Sequence, residues 1–197
     1  MRHFLLGAIA ALTLGVSANA ESYTFDPGHT EVRFYYNHAG LSEQSGEWTI
    51  KSGEVEFDAA DLSATKVSVT IDANSVDTGV ADLDSHLKGG DFFDVENHPE
   101  ITFVSTSAVQ SGADRITLTG DLTIKGESKP VTLDFVLIHN GPHPLGQFIE
   151  YYEGDWIGVQ GGGELLRSEF GVGMFAPLTS DRVRLAISAE LKKGGWE

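Results

Sequence analysis

Few residues in this chain of 197 are equipped for chemistry, and they are scattered. It contains no cysteine, which removes thiolate nucleophiles, disulfides and Cys-ligated zinc or iron-sulfur centres together. His139 and His143 have the spacing that aligns two imidazoles on a helix, but Gly141, Pro142 and Pro144 forbid that helix, so a metal there would depend on loop geometry alone. His29, His38, His86 and His98 stand singly, and a lone imidazole more often satisfies a neighbouring polar group than ligates a metal. Asp84, His86 and Asp91 fall on one segment of helical spacing; they could form an acid-base group, and equally could cap and staple a short helix. Arg167 lies among apolar neighbours in residues 165–171, and a partly buried guanidinium calls for a carboxylate, for which Asp26, Asp84, Asp91 and Asp181 are candidates. It would then serve either as a structural ion pair or as a contact for a polar ligand head. The sequence holds no G-x-S-x-G elbow, H-E-x-x-H pair, Walker loop or G-x-G-x-x-G, and Gly161-Gly162-Gly163 lacks the spacing and the following helix that phosphate cradling needs.

The elements that must position these groups are strands. Val32, Phe34 and Tyr36 alternate with polar neighbours, as do Val67, Val69 and Ile71, giving one buried and one wetter face. Ile116, Leu118, Gly120, Leu122 and Ile124 form a long alternating run, and Val131, Leu133, Phe135 and Leu137 form its hairpin partner across a turn at residues 126–130. Ile101 and Phe103 open another strand, and Val183 to Leu191 repeat the same period. About eight strands result. Residues 80–93 depart from the rule: Leu83, Leu87 and Phe92 have helical offsets, Gly89-Gly90 would end the helix, and Phe92 and Phe93 are left to plug something apolar. Residues 139–163, rich in glycine and carrying Phe148, Tyr151, Tyr152 and Trp156, read as a long loop that either folds over an opening or runs along the surface.

Long alternating strands with one helix favour an all-β, eight-stranded antiparallel barrel with one or two short helices, since closure removes exposed edges. Such a barrel is either packed solid or holds one small ligand, and a long apolar bore suits a long apolar chain. Lys plus Arg number 13 against 29 Asp plus Glu, a net charge of -16, which repels nucleic-acid phosphates. Residues 1–20 read as a signal peptide: Arg2 is the basic start, an apolar run follows from Phe4 to Val16, and Ala18-Asn19-Ala20 is the cleavage signal. That leaves 21–197 as a single exported domain.

The ordered motifs are recognisable. Asp26-Pro27-Gly28-His29-Thr30, Phe34 with His38-Ala39-Gly40, Asp72-Ala73-Asn74-Ser75-Val76-Asp77, Asp84-Ser85-His86-Leu87, Asp91-Phe92-Phe93-Asp94, Gly120-Asp121-Leu122-Thr123-Ile124 and Arg167-Ser168-Glu169-Phe170-Gly171 resemble, in that order, the YceI-like family. The resemblance implies a lipocalin-like barrel in the periplasm that binds a polyisoprenoid lipid, such as an isoprenoid quinone, as ligand, with no resident cofactor or metal and no catalysis. The side chains expected to line the tunnel are Phe34, Tyr36, Val69, Ile71 and Leu87, then Phe92, Phe93, Phe103, Leu122 and Ile124, with Leu133, Phe135, Arg167 and Phe170. Transient contact with a membrane or membrane proteins and a homodimer are compatible with that reading. Two other readings stand beside it: a ligand-free stress or interaction barrel, and an enzyme using Asp84, His86 and Arg167. Leu83 precedes the Asp84-Ser85-His86-Leu87 motif where family members often carry a basic residue, and Gly161-Gly162-Gly163 replaces a more ordinary strand, so contacts to a ligand head are expected to differ here.

Overall fold

The computed structural model describes residues 20–196, so all but the last residue of the signal peptide read at 1–20 lies outside the described residues. The alternating segments become β1 (Glu21–His38), β2 (Ser42–Trp48), β3 (Ile50–Phe57), β4 (Lys66–Asp72), β5 (Glu100–Gln110), β6 (Arg115–Ile124), β7 (Glu127–Pro142), β8 (Asp155–Leu166) and β9 (Arg182–Lys193), with one α-helix, α1 (Ala81–Lys88), between β4 and β5. Every pairing is antiparallel. The last strand returns to the first through Tyr23↔Lys193 to Tyr35↔Arg184, closing the sheet on itself. The nine strand segments among the described residues make an eight-stranded barrel, because β2 and β3 are successive halves of one strand: β2 pairs with the second half of β1 and β3 with the first. Their junction is Thr49, whose N–H donates to Ser75 Oγ at 2.8 Å while its carbonyl accepts from Asp72 N–H at 3.1 Å. These two bonds take the place of the ladder partners that the break removes.

The period-two pattern sets the wall. Val32 and Phe34, Leu118, Leu122 and Ile124, Val131 and Leu133, and Ala189 and Leu191 are buried, while their neighbours in sequence face outward. A side chain of this kind contributes about 1.5–3 kcal/mol when fully buried, and a one-residue slip would turn the whole set to solvent, so register is firmly specified. The hairpin turn is tighter than the 126–130 reading. Lys125 (φ 51°) and Gly126 (φ 78°) form the two-residue turn, and β7 begins at Glu127. Pro130 therefore lies inside a strand, opposite Asp121; β8 joins β7 only from Asp134 onward, so the missing N–H of Pro130 breaks no bond on that side.

The loop read at 139–163 is shorter than that, since residues 139–142 belong to β7 and 155–163 to β8, and what remains is a surface excursion and not a lid. Residues 143–154 fold back on the outer wall, where His143 stacks on Tyr152 at 4.3 Å and Tyr151 and Tyr152 cover Trp156, which is 1% exposed. The strut beneath is a bulge in β1, where the pairing with β9 shifts between Phe25 and Thr30. Asp26, fully buried in that bulge, accepts from Gly28 N–H, His29 Nδ1 and Tyr151 Oη, each at 2.8 Å. Burial pushes its carboxyl up, but these three donors outweigh it and hold the carboxyl below its ordinary range. The Tyr151 hydroxyl is pushed up to about 12 by burial and by the carboxylate it donates to, so it stays a donor. Asp26 thereby ties the outer loop to the seam at which the barrel closes.

Candidate functional site

The barrel interior is not solid. Two cavities follow one another along it. The upper, about 300 Å³, is lined by Phe34, Tyr36 and Trp48 from β1 and β2, by Leu83, His86 and Leu87 of α1, by Phe92 and Phe93 beyond it, and by Ile124, Leu165 and Arg167. The lower, about 140 Å³, is lined by Phe25, Val69, Phe103, Leu133, Phe135 and Ile157 among others, and its far end reaches Leu62 in the turn after β3. Val32, Ile71, Leu122 and Leu185 line both. His38, His86 and Phe175 are exposed as well as lining, and they mark the upper end as the one open to solvent.

A barrel so rich in phenylalanine keeps a bore because its rings lie against glycines on the adjacent strand. Phe34 is directly opposite Gly46 and Phe135 directly opposite Gly161. Rings of Phe25 and Phe103 lie likewise against Gly53 and Gly120; a Cβ at Gly120 would stand 2.5 Å from the Phe103 ring. Without a Cβ in the way, each ring folds onto the wall and leaves the axis free.

Thirteen of the fourteen side chains read from sequence as lining line one chamber or the other. Phe170 does not: fully buried in the turn after β8, it packs in the same core cluster as Phe34, Trp48 and Phe93 without lining either chamber. Sequence reading also passed over Trp48, Val172, Phe175, Val183 and Leu185, which the structure places at the upper cavity. Val183 and Leu185 carried a signal in their alternation; Phe175 sits in an irregular segment that carries none.

Arg167 departs from expectation. Buried to 9% exposure, it has no carboxylate within ion-pair distance among the described residues. Its donors go instead to Ser180 O (2.9 Å), Val172 O (2.6 Å), Met174 O (2.9 Å), and Thr179 O and Oγ1 (2.9 Å each). A guanidinium has five N–H groups, and these five bonds engage all of them. Burial lowers its pKa, which the Asp181 charge partly offsets, and Asp181 itself bonds Ser168 N–H and Oγ. Arg167 thus shows the cavity a flat face with no free donor.

The acid-base grouping is not assembled. Asp84 accepts from Thr78 N–H and Oγ1 at 2.8 and 2.6 Å, and those bonds, chiefly that of the side chain, hold its carboxyl low. His86 instead packs edge-on to Phe92 and Phe175, at 5.1 and 6.2 Å. Neither residue bonds the other or Arg167 in the described structure. His139 and His143 do not converge either: His139 turns to Gly141 O, and His143 lies 3.7 Å from Glu190. What the interior offers is an apolar bore with Tyr36, His38, His86, Thr179 and Arg167 as the polar groups toward its open end.

Comparison with known proteins agrees with this architecture. A UPF0312 protein of Pseudomonas aeruginosa is 37% identical over 190 residues, covering 92% of this chain and 95% of that one. Another, of Pectobacterium carotovorum, is 36% identical over 187 residues, covering 94% and 93%. Among solved structures, BcnA of Burkholderia cenocepacia has a TM-score of 0.72 at 25% identity, covering 84% of this chain and 98% of its own. A polyisoprenoid binding domain from Saccharophagus degradans shares the fold, with a TM-score of 0.62 at 12% identity over 89% of this chain and 99% of that domain. The YceI-like domain model matches residues 23–191, and the chain belongs to the YceI-like family.

Proposed function

We propose that this protein is a periplasmic carrier that holds one polyisoprenoid chain, an isoprenoid quinone or a related neutral prenyl lipid, along the barrel axis. The observation that carries this is the pair of apolar chambers set end to end, with rings folded against glycines so that the axis stays free. Each buried methylene contributes about 0.8 kcal/mol, so a prenyl tail offsets the roughly 4–15 kcal/mol of lost freedom on binding without a strong polar contact. The fold likeness to a domain described as polyisoprenoid binding supports the same reading. A neutral head is favoured over a diphosphate, because among the described residues Arg167 is the only Lys or Arg lining either chamber and its donors are engaged. Leu41 and Leu178, 83% and 71% exposed, flank the open end, where Ala39 N–H donates to Leu178 O; they supply an apolar rim for brief contact with a membrane. The N-terminal apolar run with its Ala18-Asn19-Ala20 signal supports export.

Native mass spectrometry of protein purified from its own organism, followed by lipid extraction, tests the proposal. A neutral prenyl lipid bound one per chain is the expected result. A prenyl diphosphate as sole ligand would reject the head assignment, and no extractable lipid would reject the carrier.

A further inference from the structure

The two chambers are unequal, and four side chains border both. Val32 of β1, Ile71 of β4, Leu122 of β6 and Leu185 of β9 belong to the lining of both, so side chains from four strands converge where the upper cavity gives way to the lower. All four are branched aliphatics without a polar atom, and Val32, Ile71 and Leu122 are at most 8% exposed. Beyond them the lower chamber is about 140 Å³ against about 300 Å³ above. It stays open because the Phe25, Phe103 and Phe135 rings lie on Gly53, Gly120 and Gly161.

We infer that this waist is a tail gauge: Ile71 and Leu122 decide how long a prenyl chain the protein accepts, a short chain being housed wholly in the upper chamber and a longer one threading the ring to fill the lower. The inference rests on the lipid-binding reading above and adds to it the residues that set chain length. The physical basis is that a close-packed wall does not stretch to admit extra atoms. A ring of aliphatic side chains either passes a single chain or blocks it, and one added aromatic ring overfills the passage. A chain whose end is blocked leaves methylenes in water that would otherwise be buried, and it loses affinity in proportion to their number. A chain too short to reach the waist is indifferent to it. The upper chamber, whose lining continues onto α1 and the exposed Phe175, tolerates variation in the head, while the lower, closed off toward Leu62, discriminates only by length.

The test uses the delipidated protein with geraniol as the short probe and geranylgeraniol as the long one, affinities being measured by calorimetry. Leu122→Phe is expected to weaken geranylgeraniol about a hundredfold more than it weakens geraniol, whose own loss is limited to the contact Leu122 makes in the upper chamber. Ile71→Phe, from another side of the ring, is expected to do the same, and it carries the test if Leu122→Phe does not fold by circular dichroism. Equal weakening of both alcohols, or no change in either, in a folded variant overturns the gauge and leaves lipid binding intact. Failure of the unmodified protein to bind either alcohol overturns the lipid reading, and the gauge with it.

Discussion

Replacing Arg167 with lysine separates a structural role from a ligand-binding one. The guanidinium ties residues 172–180 to the end of β8 by five bonds of 2.6–2.9 Å, four of them to backbone carbonyls. A lysine keeps the charge but has three donors radiating from one nitrogen, and it cannot reach acceptors spread around a planar fork. At least two of these acceptors would lose their partner. Each bond to a charged donor contributes about 1.5–3 kcal/mol net, so two suggest about 3–6 kcal/mol. That range is reduced because the segment carries exposed Phe175 and Leu178 and can open enough to hydrate its own carbonyls. The expected loss is about 2–4 kcal/mol for Arg167→Lys and about 3–5 kcal/mol for Arg167→Ala, which leaves four carbonyls without a donor. Urea unfolding at neutral pH reads this as a lower midpoint at unchanged slope. A loss below about 1 kcal/mol for the lysine variant would refute the clamp. Stability unchanged while binding of a neutral prenyl alcohol falls would place the guanidinium on the ligand instead.

Other expectations follow from particular contacts. Gly120→Ala should destabilise by about 1–3 kcal/mol in urea, because its Cβ would meet both the Phe103 ring and Val104 O at 2.5 Å; a neutral effect would show the ring is not held there. Leu122→Asp places an unpaired carboxylate at the waist and should lower both stability and lipid occupancy, so full occupancy in a folded variant would mean the side chain points elsewhere. The His29 pKa is raised above 6.5, first by its hydrogen bond to Asp26, so an NMR titration should find it above that value in the native protein and lower in Asp26→Asn. The sign follows: what His29 adds to stability is complete below its unfolded pKa of about 6.5 and fades as pH rises through the higher folded one, whereas the Asp26 contribution is complete above about pH 4 and fades on acidification. Leu41→Ser with Leu178→Ser should slow prenyl transfer to zwitterionic vesicles several-fold at unchanged affinity, and an unchanged rate would remove the rim from the reading.

The barrel was legible because each strand has one wall inside and one in water, so a period of two is written into nearly every segment. Residues 80–93 were legible for the opposite reason, since only their apolar positions have helical offsets. The β1 bulge was not, because residues 26–30 carry no alternation, whereas the structure keeps them within one strand that slips against β9. Arg167 was found but its partners were mistaken. In an acid-rich chain a carboxylate is the natural partner to seek, while backbone carbonyls leave no trace in residue types. Phe170 failed as a lining residue because the alternation that would have turned it inward stops at Leu166, where β8 gives way to a tight turn.

The least legible feature is the one on which the function depends. Alternating apolar residues specify which side chains point inward, and that pattern alone is equally consistent with a packed barrel and an open one. What separates the two is where the small residues fall on the neighbouring strand. Gly46, Gly53, Gly120 and Gly161 each interrupt a run that otherwise reads as a weakened strand, and glycine in a strand lowers stability. Opposite or beside each of them stands a phenylalanine whose ring uses the space of the missing side chain. The glycine leaves a gap in the wall, the ring fills it, and the volume the ring vacates becomes bore. Cross-strand register, and not composition, converts one residue's deficit into a cavity, so the open interior can be read only after the pairing is known.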